Sequence, residues 1–84
     1  MKIIIEHYRI NKFGWLYRHK RNQPDFTPQT RGGMTICRLL TDAEQFVGYA
    51  YCSNKDNFCY KTGRILAFER ARKALLVRYP EYQM

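Results

Sequence analysis

Two β-prone runs, residues 35–41 and 46–52, are separated only by Asp42, Ala43, Glu44 and Gln45. This spacing constrains the fold more than any other feature, because a four-residue polar loop between such runs turns the chain back on itself as an antiparallel hairpin. With Thr41 opposite Phe46, the register pairs Leu39 with Gly48, Cys37 with Ala50 and Thr35 with Cys52 on one face. Ile36, Arg38, Leu40, Val47, Tyr49 and Tyr51 then share the other face. The first face is low and smooth, the second bulky.

A smooth face invites a close-packing partner, and the sequence supplies one. Ser53 followed three residues later by Asp56 has the form of a capping box with Asp in place of Glu, which predicts a helix beginning near Asn54. The helix is expected to run to about Tyr79, because the residue before Pro80 is driven out of helical geometry. Gly63, Ala67, Ala71 and Ala74 fall at intervals of four, four and three, forming a narrow stripe that lets another backbone approach. A glycine inside a helix costs about 1 kcal/mol relative to alanine, which close packing must offset. The stripe is therefore expected to lie on Gly48, Ala50 and Cys52, with Phe58, Ile65, Leu66, Phe68 and Leu75 closing the edges. Arg70 interrupts the stripe and Arg72 lies among the larger apolar residues, so the helix rotation stays open.

Upstream, residues 2–10 read as a strand rich in Ile and Tyr, with Ile4, Tyr8 and Ile10 on one face. Residues 11–33 contain Gly14, Pro24, Pro28, Gly32 and Gly33 and read as a long connection. It opens with a turn at residues 11–14 and holds a short extra strand near residues 15–18. Gly32 and Gly33 are expected to turn the chain into the following strand. At 84 residues the whole is one domain with a thin core, since chains this short bury only about 60% of their unfolded surface. The expected fold is α+β, a three- or four-stranded antiparallel sheet followed by one long C-terminal helix packed on one face.

Fifteen Lys and Arg against seven Asp and Glu give a net charge of +8. Residues 1–38 carry eight basic and two acidic side chains, residues 39–60 one and three, and residues 61–84 six and two. Two basic blocks thus flank a slightly acidic centre. Gathered on one side they attract polyanions; spread around the surface they only keep the protein dissolved.

Catalytic and metal chemistry find little support. The two His, three Cys and seven carboxylates form no nucleophile, acid–base or metal-ligand motif, and successive cysteines are too far apart for a common zinc module. No phosphate-binding glycine loop is present. The expectation is a protein that is not an enzyme and takes no cofactor or metal. Cys37, Cys52 and Cys59 lack the spacing of a disulfide scaffold, and no stretch reads as a signal peptide or membrane span, which predicts reduced thiols and a cytoplasmic location.

Binding signals are better developed. Trp15, Tyr17, Arg18, His19, Lys20 and Arg21 interleave aromatic faces with cations, the mixture that stacks bases and neutralises phosphates; alternatively Trp15 and Tyr17 face the core. Arg38, Tyr49 and Tyr51 form a second set on the bulky hairpin face, an aromatic platform unless Ile3, Ile5 and the long connection cover it. Lys61, Arg64, Arg70, Arg72, Lys73 and Arg78 supply helix cations of the kind that contact nucleic-acid backbones, or a solvated face.

The block from Gly48 through Ala50, Cys52, Lys55, Asp56 and Phe58, continuing through Gly63-Arg64 and Ala67-Phe-Glu-Arg70-Ala71, resembles a pattern in small bacteriophage and prophage proteins. The resemblance covers about a third of the chain and implies a phage-encoded product acting inside a bacterium. The order of strands followed by a helix is also similar to the core of double-stranded-RNA-binding domains and to the arm-binding domains of phage integrases. A leading helix and a paired Lys-Lys at the start of the last helix are missing, with Lys61 and Arg64 as loose substitutes. The expected function is non-enzymatic binding of DNA or RNA through the basic and aromatic surface. The alternative is a phage accessory protein that binds a host protein, as an anti-defence (anti-CRISPR-like) inhibitor or a modulator of host transcription.

Overall fold

The computed structural model of the protein describes residues 1–19, 29 and 31–82, with Asn54 described by its backbone alone. Its elements are β1 (Lys2–Ile10), β2 (Leu16–Arg18), β3 (Arg31–Leu40), β4 (Gln45–Asn57) and α1 (Tyr60–Arg78). The strands form one antiparallel sheet in the order β2-β1-β3-β4, and α1 packs on one face of it. The α+β architecture read from the sequence is the one observed.

The first hairpin closes as expected at residues 11–14. Asn11 Oδ1 accepts the N–H groups of Phe13 and Trp15 at 3.0 and 2.9 Å, and Gly14 turns the chain with φ +85°. An asparagine side chain that receives local backbone donors in this way is a strong turn former.

The second hairpin differs from the expected register by two residues. Leu39 pairs with Phe46, Cys37 with Gly48, Thr35 with Ala50 and Gly33 with Cys52. Thr41 explains the difference: its Oγ1 accepts the N–H of Glu44 at 3.0 Å, and its own N–H reaches the Glu44 carbonyl at 2.8 Å. The loop is therefore residues 41–44 rather than 42–45. Because strand faces repeat every two residues, a two-residue displacement leaves each side chain on its expected face.

The expected helix start at Asn54 is also corrected. Strand β4 continues to Asn57, and the ladder passes from the Gly33–Cys52 pair to the Arg31–Asn57 pair through a bulge. The Cys52 sulfur lies 3.4–3.6 Å from the carbonyl oxygens of Ser53, Asp56 and Asn57, any one of which can accept its S–H, while Ser53 Oγ accepts the Lys55 N–H at 3.1 Å. Ser53 and Asp56 thus belong to a bulged strand end, and α1 begins at Tyr60 with Cys59 as its N-cap. Gly32 and Gly33 likewise lie within β3 rather than before it. Both hold positive φ, and a methyl at Gly33 would run into the Phe58 ring and the Tyr8 carbonyl.

Helix docking follows the small-residue logic. Ala67, Ala71 and Leu75 are fully buried over Thr35, Cys37 and Leu39, and Gly48 sits directly under the Ala67–Ala71 turn. Leu75, not the exposed Ala74, completes the buried stripe. Ile65 and Leu66 are exposed rather than closing the edges; Phe68 closes them as expected, joined by Ile5 and Tyr79. The helix stops where Pro80 requires, with the Tyr79 N–H bonded to the Leu75 carbonyl at 2.7 Å. Arg70 does not disturb the packing, because its guanidinium reaches over the outer edge of β4 and donates to the Tyr49 carbonyl at 2.6 Å. Among the described residues, no helix is long and apolar enough to cross a membrane.

Candidate nucleic-acid interface

Alternation along four paired strands gives the sheet two distinct faces. Ile3 pairs with Leu39, Ile5 with Cys37 and His7 with Thr35, so these residues share the helix side. Glu6, Tyr8, Arg18, Ile36, Arg38, Tyr49 and Tyr51 point the other way. Ile3 and Ile5 therefore do not cover the aromatic platform. Tyr49 and Tyr51 are 44% and 75% exposed, and their rings lie parallel, 6.4 Å apart with planes 15° from each other.

Behind the tyrosines, the open face carries a charged triad. Glu6 accepts from Arg38 Nε at 2.7 Å and from the Tyr8 hydroxyl at 3.2 Å, and Arg18 Nε stands 3.4 Å from its other side. The Arg38 hydrogen bond holds the Glu6 carboxyl below its usual range, against the opposing effect of burial. Two arginines thus share one carboxylate, leaving a net charge of +1 beside two flat aromatic faces.

The remaining expected residues lie elsewhere. Lys61, Arg64, Arg72 and Lys73 are on α1, on the opposite side of the sheet, so Arg18 and Arg38 do not form one continuous surface with them. Arg72 is paired with Glu69 at 3.4 Å. Trp15 is 72% exposed beside Phe13 at the tip of the first hairpin, which overturns a core placement. Tyr17 is half-buried on the helix side, its hydroxyl 3.3 Å from His19 Nδ1. Lys20 and Arg21 lie outside the described residues.

A second basic cluster, which the sequence reading missed, stands where β1 and β2 emerge from beside the helix. Arg9 is only 8% exposed; its guanidinium lies 4.5 Å from the Phe58 ring centre and 5.2 Å from that of Tyr60. It donates to the Tyr60 hydroxyl at 2.6 Å and to the Gln29 carbonyl at 2.8 Å. The Tyr60 ring also meets the rings of His7 at 4.8 Å and His19 at 6.0 Å. His7 Nδ1 lies 2.9 Å from the Thr35 hydroxyl. Burial, then the charges of Arg64, His19 and Arg9, push His7 below its ordinary pKa. The alternation of residues 2–10 carried only the β1 part of this signal, by placing His7 and Arg9 on the same face as Ile3 and Ile5.

The thiols group by environment. Cys37 is sealed in the core, and burial raises its pKa. Cys52 and Cys59 line a cavity of about 320 Å³ between the end of β4 and the start of α1. Thr62, through its hydroxyl and its backbone N–H, lowers the Cys59 pKa, with further help from Lys61. Among the described residues no cluster of His, Cys, Asp and Glu could hold a metal ion.

No family model, no curated protein and no solved structure matches the chain. The functional reading therefore depends on the chemistry of these surfaces.

Proposed function

We propose that the protein binds single-stranded nucleic acid, without catalysis, on the sheet face opposite the helix. Tyr49 and Tyr51 stack on bases while Arg18 and Arg38 meet the backbone phosphates. What carries this reading is the parallel, solvent-facing pair of tyrosine rings on the same sheet face as two arginines. A π-face accepts any base, and aromatic stacking contributes about 1–3 kcal/mol per base. A net charge of +8 adds long-range attraction for polyanions. A duplex hides the faces of its bases, so the reading requires preference for single strands.

The test is titration of a fluorescent single-stranded oligonucleotide and its duplex with wild type and the Tyr49→Ala/Tyr51→Ala variant. Both side chains are exposed, so the variant is expected to fold. A loss of two stacked bases weakens single-strand binding by about 10- to 100-fold per base. Unchanged affinity in the variant, or binding insensitive to salt, overturns the proposal.

A second reading, docking on a host protein, is favoured by the hairpin tip. Phe13, Trp15 and Leu16 are 71%, 72% and 52% exposed there, and aromatic clusters of this kind anchor protein interfaces. Under that reading, a bacterial protein copurifies after nuclease treatment and is lost with Trp15→Ala, whereas Tyr49→Ala/Tyr51→Ala retains it.

A further inference from the structure

We propose that Arg9, His7 and His19, gathered around the Tyr60 ring, together with Arg64 one helical turn further along α1, bind a phosphate monoester dianion. The site lies on the helix side of the sheet, away from Tyr49 and Tyr51, and does not rest on the proposed reading of the open face.

The first reason is Arg9. Charged side chains are seldom fully buried without a partner of opposite sign, yet Arg9 is 8% exposed and its Nε has no hydrogen-bond partner. Among the described residues it makes no ion pair, and the ion pairs that do form involve Glu6, Glu69 and Glu44. Two aromatic rings and two neutral acceptors disperse its charge without cancelling it.

The second reason is convergence. His7 and His19 flank the phenol that Arg9 grips, and Arg64, four residues after Tyr60 on α1, is close enough for its charge to act on His7. The helix starts at Tyr60 with no acidic residue in its first turn. Its positive end therefore adds to the field of the four basic groups, where a first-turn carboxylate would ordinarily reduce it. The free site brings one buried arginine cation and two imidazoles around a common ring.

The ligand class follows from this donor set. A phosphate monoester carries a charge of about −1.5 to −2 at neutral pH and three strong acceptor oxygens. It can engage an arginine fork and imidazole donors together, and it neutralises more than one cation, which a chloride or a single carboxylate does not. Binding is expected to draw a proton onto His7. That residue is acted on by Arg9 from β1, His19 from the end of β2 and Arg64 from α1, and it touches Thr35 on β3 and Tyr60 on α1. Burial, then the charges of Arg64, His19 and Arg9, oppose its ionisation, and a bound dianion counters them.

Inorganic phosphate is the direct probe, titrated by calorimetry and by thermal unfolding against sodium chloride of equal ionic strength. Saturable binding and a higher melting temperature in phosphate than in chloride are expected. Because Arg9→Gln risks unfolding the chain, the decisive variants are Arg64→Ala and His19→Gln, with circular dichroism confirming the fold. Each is expected to weaken phosphate binding by about tenfold, the scale of one lost charged hydrogen bond, while Tyr49→Ala leaves it unchanged. Phosphate that stabilises no more than chloride, or an Arg64→Ala protein that binds as wild type, overturns the proposal.

Two further ligands identify the source of the monoester. A 5′-phosphorylated oligonucleotide that binds at least about tenfold tighter than its 5′-hydroxyl counterpart supports the site as a receptor for nucleic-acid ends. A phosphorylated oligomer that binds no tighter than inorganic phosphate supports a small phosphorylated molecule as the ligand.

Discussion

Gly48 lies so close beneath Ala67 that the space a methyl group would need is already filled by the Ala67 carbonyl and the Ala71 amide. The contact fixes the height of α1 above the hairpin, because both obstructing atoms belong to helix backbone and neither can rotate away. That height sets where the Tyr60 end of the helix stands relative to Arg9 and His7. A packing contact in the core thus positions the basic cluster.

Gly48→Ala is therefore expected to destabilise the fold by about 1–3 kcal/mol, the usual cost of overpacking, read from the midpoint of urea denaturation. Gly63→Ala should cost less. There the nearest obstacle is the Thr35 side chain, and alanine regains about 1 kcal/mol of helix propensity. A larger loss at Gly63 than at Gly48 contradicts this account of docking.

The sequence made the faces of this fold readable and left its boundaries ambiguous. Alternation in residues 2–10 and 35–52, and the small stripe along the helix, carried over because each repeats over several residues. The hairpin register did not, since it turns on one hydroxyl, that of Thr41, and the two choices expose identical faces. The helix start failed because Ser53 and Asp56 fit a capping box and a strand bulge equally well. Arg38, Tyr49 and Tyr51 were legible as neighbours through local pairing. The cluster around Arg9 was not, because it is assembled from β1, β2 and α1, and no local pattern brings Tyr60 to Arg9 across fifty-one positions.

Glu6 gives the open face an internal competitor for phosphate. It holds Arg38 at 2.7 Å and Arg18 at 3.4 Å, so under the proposed function a nucleic-acid backbone must displace it. Glu6→Gln is expected to strengthen single-strand binding and to steepen its salt dependence by about 0.7 in log–log slope for each cation released. Fluorescence anisotropy between low and physiological salt reads both effects. Weaker binding by a folded Glu6→Gln protein places the phosphate contacts somewhere other than Arg18 and Arg38.

Stability should fall with acidification in two stages. His7 is held below its ordinary value near 6.5, chiefly by burial and then by Arg64, His19 and Arg9. Between that value and its lower folded value, the unfolded chain binds the extra proton, so stability drops as pH falls below about 6.5. Glu6, held below its ordinary value near 4.5 by Arg38, stabilises the fold above that value and ceases to do so as pH falls through its folded value. Denaturation midpoints followed from pH 8 to pH 3 should show both stages. His7→Gln is expected to flatten the upper one and Glu6→Gln the lower.

The three cysteines should react in an order set by their surroundings. Cys37 is fully buried with a raised pKa, so in the folded protein it waits on unfolding. Cys59 is exposed at the N-cap of α1, where its neutral thiol makes no capping bond and the Thr62 hydroxyl and N–H favour the thiolate. Ionisation therefore satisfies helix donors that the thiol leaves free, and the thiolate is the form that attacks alkylating reagents. Cys52 is half-buried, with three carbonyl oxygens in reach of its single S–H, which favour the neutral thiol. Iodoacetamide at neutral pH, with peptide mapping, is expected to label Cys59 first, Cys52 more slowly and Cys37 only in denaturant. Thr62→Val should slow labelling at Cys59 while leaving Cys52 unchanged. Equal rates at Cys59 in wild type and Thr62→Val would show that the Thr62 hydroxyl does not favour the thiolate.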